Sequence, residues 1–292
     1  MSGVPLTFEQ WLQSLIPPPS VSSGSSNAIN IADFGLTTTG DNTPALHAAL
    51  DACVAQGKRI IEFPCGTFGF DTAPRPINGI MLRGQGLTST YLVRKYSGNF
   101  LNFGGGFLGG GGCSDMGVLA GAGTSGGYGI YCPGQTAVGS NDWGIFKHLY
   151  ISSAGGTWAV PFMIDGQLRS SPQGTRDLRI LGVDCFAGTS AGMWIANGVG
   201  VTLDSVGTYP AGGTNGDLVI GSGSTVINMS NMNIQGTLNL SNCSKIAFTG
   251  HMNNFSAAST ASGVFANGTR SASGTYSNAM VGGSCVMNLV PV

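Results

Sequence analysis

The apolar positions of this chain follow a helical period in one short stretch and a strand period along most of the remainder. Between residues 43 and 57 they recur at the spacing of one helix face, at Leu46, Ala49, Leu50, Cys53 and Val54. Thr43 can cap a helix, Pro44 suits its first turn, and Gly57 suits its end. The pattern therefore predicts one amphipathic helix, followed by a strand over residues 59–63.

From residue 80 onward the pattern is that of short strands in which two apolar residues stand two positions apart. The pairs are Ile80/Leu82, Met116/Val118, Leu149/Ile151, Leu178/Ile180, Val201/Leu203, Ile227/Met229 and Ile246/Phe248. Successive pairs lie 19 to 36 residues apart. This irregular repeat predicts a β-solenoid whose earlier coils carry longer loops. A lone helix ahead of such a stack is what covers its first coil.

The segment that contains the predicted helix also carries a resemblance. It comprises Asp33-Phe34-Gly35, Gly40-Asp41, the helix over 45–55, Gly57 and Phe63-Pro64-Cys65-Gly66-Thr67-Phe68. These residues resemble the opening of the pectate-lyase-like superfamily, which includes bacteriophage tailspikes and other right-handed parallel β-helix proteins. The run Asp41-Asn42-Thr43-Pro44 departs from the acidic residues usual at this point. The resemblance implies an all-β, right-handed parallel β-helix with an N-terminal capping α-helix, and it implies a homotrimer.

Three regions follow from these patterns: residues 1–28, residues 29–68 with the capping helix and first strands, and residues 69–292 with the β-helix. The first region predicts a short helical segment that Pro17–Pro19 ends and a Ser-rich linker follows. One side of this segment is apolar, through Phe8, Trp11, Leu12, Leu15 and Ile16. Two interpretations are open. The segment packs back onto the solenoid, or it anchors the protein to a larger assembly.

Charge and cysteine content narrow the range of partners. Charged residues make up 9% of the 292 residues, Gly accounts for 49, and the net charge is −1. Without a basic patch, neither nucleic acid nor an anionic membrane surface is an expected partner. No apolar run is long enough for membrane insertion, and no secretory signal opens the chain. Seven scattered cysteines and three distant histidines predict reduced thiols and neither a metal site nor a cofactor.

Outward-facing residues are the candidates for chemistry, because strand side chains alternate between core and solvent. If the apolar pairs align, Asp115, His148 and Asp177 stand on consecutive coils about 4.8 Å apart, as candidate catalytic residues. Tyr150 and Arg179 would lie beside them and bind a sugar ring and a sugar carboxylate. Further candidate sugar platforms are Trp143, Trp158 and Trp194. The alternative is a salt-bridged surface ladder without chemistry, since a slip of one residue turns every side chain around.

Together these features favour a virion appendage, a trimeric tailspike or fibre-like protein made in the host cytoplasm. Residues 1–28 would attach it to virion tail or capsid proteins, and the β-helix would face host surface polysaccharide. Two alternatives stay open. One is a polysaccharide depolymerase, a glycoside hydrolase or lyase, that uses the Asp115/His148/Asp177 column. The other is a purely structural decoration protein of the capsid or tail.

Overall fold

The computed structural model of the chain describes residues 27–104, 111–133, 144–166, 175–209, 215–221, 223–258, 260–278 and 285–292. The predicted anchor residues Phe8, Trp11, Leu12, Leu15 and Ile16 lie outside this part of the chain, as does Trp143. The described residues form a 22-stranded parallel sheet with one α-helix and one 3-10 helix. The chain is a right-handed parallel β-helix, and the predicted fold class is confirmed.

The strands follow the chain with few helical interruptions. The first eleven are β1 (Ala28–Asn30), β2 (Ile60–Glu62), β3 (Gly66–Phe70), β4 (Met81–Arg83), β5 (Thr90–Arg94), β6 (Leu101–Asn102), β7 (Gly112–Gly121), β8 (Tyr128–Pro133), β9 (Ile145–Ala154), β10 (Val160–Asp165) and β11 (Thr175–Arg176). The next eleven are β12 (Arg179–Cys185), β13 (Met193–Ala196), β14 (Gly198–Val199), β15 (Thr202–Asp204), β16 (Gly207–Thr208), β17 (Leu218–Gly221), β18 (Thr225–Leu240), β19 (Ser244–Ala257), β20 (Ser262–Arg270), β21 (Tyr276–Asn278) and β22 (Cys285–Pro291).

Successive coils stack these strands into three faces, with every named pair parallel. Face 1 contains β6, β8, β10, β13, β17 and β21. Face 2 contains β1, β2, β4 and β15, and face 3 contains β3, β5 and β16. The longer strands β7, β9, β12, β18, β19, β20 and β22 continue from face 2 into face 3. Inward side chains form one continuous apolar core along the axis.

A single residue in the left-handed region turns the chain from face 2 into face 3. On five successive coils this residue is Asp115, His148, Gly182, Ser205 and Asn231, with φ of 59°, 49°, 59°, 55° and 52°. A second corner, ahead of face 2, has the same conformation at Gly79, Asp177, Gly200, Val226, Lys245 and Gly263. A left-handed residue other than Gly costs roughly 1–2 kcal/mol. Because the conformation recurs from coil to coil, it belongs to the architecture rather than to one strained site.

The coils shorten along the chain. On face 2, Gly112 pairs with Ile145 and Ile145 with Arg179, so these coils take 33 and 34 residues. Asn228 pairs with Ala247 and Ala247 with Phe265, so those coils take only 19 and 18 residues. The prediction of longer loops in the earlier coils is therefore confirmed.

The helix α1 (Thr43–Gln56) covers the first coil, as predicted, and buries Ala45, Leu46, Ala49, Leu50 and Cys53. Its cap is Asn42 rather than Thr43, and the Asn42 amide donates to the carbonyl of Gly69 at 3.0 Å, which ties the helix to β3. Gly57 ends the helix with φ 64°. Val54 was predicted to lie on the apolar face of the helix, but it is 76% exposed, so the prediction for this residue is wrong.

One guanidinium is buried in the core of the described part of the chain. Arg94 is fully buried and lies 4.1 Å from the ring centroid of Trp158, a cation–π contact. Its nitrogens donate to the carbonyls of Gly98, Gly126 (2.7 Å) and Thr157 (2.9 Å) and to the hydroxyl of Thr124 (3.1 Å). Burial lowers the pKa of Arg94. Through these hydrogen bonds one side chain contacts three separate coils.

Apolar side chains lie exposed at the end of the stack. They lie on the last two long strands and at the residue after them, and are Phe265 (46% exposed), Val286 (49%), Val290 (62%) and Val292 (68%). In the described residues, β22 pairs with β20 and has no strand beyond it. An unpaired edge of this kind is a surface on which another chain can add.

Candidate functional site

The strand register tests the predicted column of Asp115, His148 and Asp177. Asp115 and His148 do stand on neighbouring coils, and His148 Nδ1 lies 2.9 Å from Asp115 Oδ1. On the next coil, however, Leu181 pairs with Lys147, so the residue beside His148 is Gly182. Asp177 lies in the second corner, where Gly200 is its neighbour. The prediction that Asp177 joins the other two residues is wrong.

The error has a physical cause in the repeat itself. Each of these coils carries one apolar pair on face 2 and a second on face 3, five residues further along, as at 178/180 and 183/185. Both pairs are buried and have the same spacing, so the sequence pattern does not distinguish them. The predicted alignment joined Leu149/Ile151 of face 3 to Leu178/Ile180 of face 2.

The predicted ligand-binding residues are separated for the same reason. Tyr150 lies on face 3, where its ring is 5.3 Å from that of Phe186, whereas Arg179 lies on face 2. Trp158 has no exposed surface and stacks on Phe100 with centroids 6.4 Å apart. A side chain without exposed surface cannot present a ring to a sugar, so the prediction for Trp158 is wrong. Trp194 is the predicted platform that lies at a surface depression.

Face 1 carries a column of large outward side chains. Tyr131 of β8, Met163 of β10, Trp194 of β13 and Val219 of β17 pair in register on four successive coils. Together with Tyr128, whose ring lies 4.8 Å from that of Tyr131, they belong to an apolar cluster separate from the main core. Aromatic and apolar groups thus form an outer layer on this face.

A depression of about 270 Å³ lies along this layer, which we call the face 1 groove. Its described lining includes Tyr128, Met163, Asp165, Ser190 and Trp194. Asp165 is the one carboxylate among these described lining residues. Burial raises the pKa of Tyr131 to about 12, with a further contribution from the nearby Asp165 carboxylate. The Tyr131 hydroxyl therefore keeps its proton at neutral pH and is available as a donor.

Two buried polar atoms on face 1 have no hydrogen-bond partner. They are Nε1 of Trp194 and Oδ1 of Asn102, whose residue pairs with Tyr131 in register. An unpaired buried donor or acceptor costs roughly 1–3 kcal/mol. Such groups are uncommon in native proteins.

This arrangement has the features of a ligand-binding site. A concave site with aromatic walls and a few polar groups is the usual form of a small-ligand or sugar site. Glycosidases use two carboxylates that flank the scissile bond, whereas the described lining offers Asp165 alone. In the described residues, no group of three His, Cys, Asp or Glu side chains is placed to hold a metal ion.

The residues Tyr128, Tyr131, Met163 and Asp165 were not predicted from the sequence. A signal for two of them was present, because the apolar pairs at 130/132 and 162/164 enclose Tyr131 and Met163, as the pair at 193/195 encloses Trp194. The same alternation rule identifies them once face 1 is recognised as a third run of strands.

Comparison with known proteins finds a likeness in fold to solved structures, but it does not assign the chain to a family. No protein-family model matches the sequence, and no curated protein matches it. In the described residues no helix is long and apolar enough to cross a membrane.

Three solved structures illustrate the likeness in fold. The surface adhesin PfbA of Streptococcus pneumoniae is 11% identical, with 90% of this chain and 85% of that chain covered and a TM-score of 0.48. The A-module of the Azotobacter vinelandii mannuronan C-5 epimerase AlgE6 is 10% identical, with 90% and 100% covered and a TM-score of 0.32. ORF18 of Geobacillus virus E2 is 14% identical, with 90% and 59% covered and a TM-score of 0.32. These are distant likenesses to parallel β-helix proteins of the pectate-lyase-like kind.

Proposed function

We propose that this protein binds carbohydrate through the face 1 groove. The observation that carries the proposal is the column of Tyr131, Met163 and Trp194 beside a concave surface that one carboxylate also lines. Aromatic rings with polar edges suit a sugar, which has apolar C–H faces and hydroxyl edges. The low content of charged residues is consistent with recognition by stacking and neutral hydrogen bonds.

In this proposal the protein is a virion appendage of the tailspike or fibre kind. It assembles as a homotrimer, attaches to tail or capsid proteins through residues 1–28, and presents the β-helix to host surface polysaccharide. The resemblance of residues 33–68 to the pectate-lyase-like opening supports this role. The exposed apolar side chains of β20 and β22 support assembly, because a neighbouring subunit would cover them.

Replacement of Trp194 by alanine is expected to weaken binding of host surface polysaccharide by about tenfold or more, since buried Trp side chains dominate such contacts. Trp194→Phe keeps a ring and removes the unpaired N–H, so it separates stacking from hydrogen bonding. The measurement is isothermal titration with purified polysaccharide, and Tyr150→Ala on face 3 is the matched control.

The same samples decide between binding and cleavage. A size-exclusion profile of the polysaccharide that stays unchanged after incubation is expected. Shortened chains would instead establish a depolymerase. Equal binding by the parent protein and Trp194→Ala would show that the face 1 groove is not the carbohydrate site, and binding by neither would favour a decoration protein.

The attachment role predicts a second outcome. Phe8→Ser combined with Trp11→Ser in the full chain is expected to reduce attachment to particles by about tenfold or more, because it removes the apolar stripe of residues 1–28. The trimer should persist. Co-sedimentation with particles that lack the protein measures attachment, and sedimentation velocity measures assembly. Gln10→Ser with Gln13→Ser is the control. A variant that unfolds would place the segment in the fold instead of in an anchor.

A further inference from the structure

A second depression, on face 2, gathers a large share of the positive charge of the chain. It has a volume of about 620 Å³ and is lined by Arg59, Arg83, Lys147 and Arg179, which come from four different coils. The whole sequence holds only 12 Lys and Arg residues at a net charge of −1. Asp and Glu are absent from the described residues that line it. We call this surface the basic depression.

The floor of the basic depression is aliphatic. Ile60, Met81, Ile145 and Leu181 line it together with the small side chain of Ser114. In register, Ser114 stands between Arg83 on one coil and Lys147 on the next, so no bulky side chain fills the space between those two cations. No aromatic residue is among the described lining, so the surface is not built to stack nucleic-acid bases.

The four cationic side chains differ in the ion pairs and hydrogen bonds that they already make within the protein. Arg83 forms an ion pair with Glu62, and Arg59 donates to the carbonyl of Gly79 at 3.3 Å. In the part of the chain that the structure describes, Lys147 and Arg179 have neither an ion pair nor a side-chain hydrogen bond. These two side chains therefore hold unused donors.

The nearby acidic groups are engaged elsewhere. Asp115, at the adjacent corner, contacts His148. Asp204, which pairs with Leu181 on the next coil, accepts hydrogen bonds from Ser230 (2.7 Å) and Asn231 (2.8 Å). Arg83, Lys147 and Arg179 are not register partners of one another, but like charges gathered on one surface repel. The cluster is therefore better explained by a ligand than by the stability of the fold.

We propose that the basic depression binds a phosphate group carried on a glycan chain. Lys147 and Arg179 lie on adjacent coils, about 4.8 Å apart along the axis, and are offset by two residues, since Arg179 pairs with Ile145 and Lys147 with Leu181. On this diagonal both long side chains reach one group between them. A phosphate has enough oxygens to accept from an Arg fork and from a Lys point charge together. The aliphatic floor accommodates the sugar or glycerol carbons that adjoin the phosphate. This site lies on a different face from the face 1 groove and stands independently of it.

The test compares four polymers on the full-length protein by isothermal titration at fixed salt. They are a glucosylated poly(glycerol phosphate), polygalacturonate as the carboxylate counterpart, neutral dextran, and a ten-nucleotide oligothymidylate. The phosphate glycan is expected to bind at least about tenfold more tightly than each of the others, since hydrogen bonds between charged groups are the strong ones.

Charge-neutral variants then locate the site. Lys147→Gln and Arg179→Gln, singly and combined, are expected to weaken phosphate-glycan binding by about tenfold per charge. Lys245→Gln, an exposed cation in the second corner on a later coil, is the control and should bind like the parent. Unsubstituted poly(glycerol phosphate), which offers no sugar ring to the face 1 groove, should lose binding with Lys147→Gln and Arg179→Gln in the same way, and this separates the two sites.

Several results would overturn the proposal. Equal affinity for polygalacturonate or for the oligonucleotide would mean that the surface has no preference for a phosphate glycan. Absence of binding, or binding that survives in the Lys147/Arg179 double variant, would also contradict it. If the double variant instead dissociates an oligomer while no polymer binds, the basic depression is a subunit interface.

Discussion

Replacement of Arg94 by methionine is expected to lower the free energy of unfolding by about 2–4 kcal/mol, because it removes a cation–π contact and several hydrogen bonds from a charged donor. The substitution removes the cation that stacks on Trp158 and leaves the carbonyls of Gly126 and Thr157 without a donor. A hydrogen bond from a charged donor is worth roughly 1.5–3 kcal/mol. Because these groups come from separate coils, the loss is felt by the whole early part of the stack.

Urea denaturation followed by tryptophan fluorescence measures this effect. Arg75→Met is the matched control, because Arg75 is exposed and pairs with Asp51 at the surface, where an ion pair is worth about 0–1 kcal/mol. Arg94→Lys is also expected to destabilise, since an ammonium lacks the planar fork that reaches several acceptors. A loss below about 1 kcal/mol for Arg94→Met would mean that the buried network contributes little.

Gly112→Ala is expected to prevent folding or to cost more than about 3 kcal/mol, a size reserved for specific structural damage. Gly112 has φ 148°, and a Cβ there would lie 1.9 Å from the carbonyl oxygen of Ile145 on the next coil. That atom is backbone held in the parallel ladder between β7 and β9, so it cannot move away without breaking the register.

The control for this prediction is Gly123→Ala. Gly123 also has a positive φ, of 75°, but a Cβ added there would meet no atom within 4 Å, so only the conformational cost of roughly 1–2 kcal/mol applies. The measurement is the soluble yield together with the urea midpoint of each variant. If the two alanine variants were equally stable, the close approach of the coils at Gly112 would not limit the fold.

The fold was predictable from the sequence because its signals are local. The helix of residues 43–56 and the buried pairs such as Val201/Leu203 and Ile227/Met229 follow from periodicity alone. Successive pairs from 178/180 to 246/248 also align in the predicted register. In these short coils few residues separate one strand from its neighbour, so few alternative alignments of one coil with the next are possible.

The site was less predictable because it depends on which coil positions meet. Asp115 and His148 were placed correctly beside each other, whereas Asp177 was displaced by the five-residue ambiguity between two identical apolar pairs. Trp158 and Trp194 are indistinguishable as residue types, yet one is enclosed by Arg94 and the other lies at a groove. Only the packing of several coils decides between them.

The one-residue turn between face 2 and face 3 has a consequence for how this chain tolerates change. In five successive coils, from 111/116 to 227/232, this corner keeps the same offset of five residues, while whole coils range from 23 to 34 residues. All variation in length therefore falls at the two borders of face 1. An insertion at these borders alters the surroundings of the face 1 groove but leaves the constant five-residue offset between face 2 and face 3 unchanged. Ligand selectivity and the ability to fold are therefore separable properties of this scaffold.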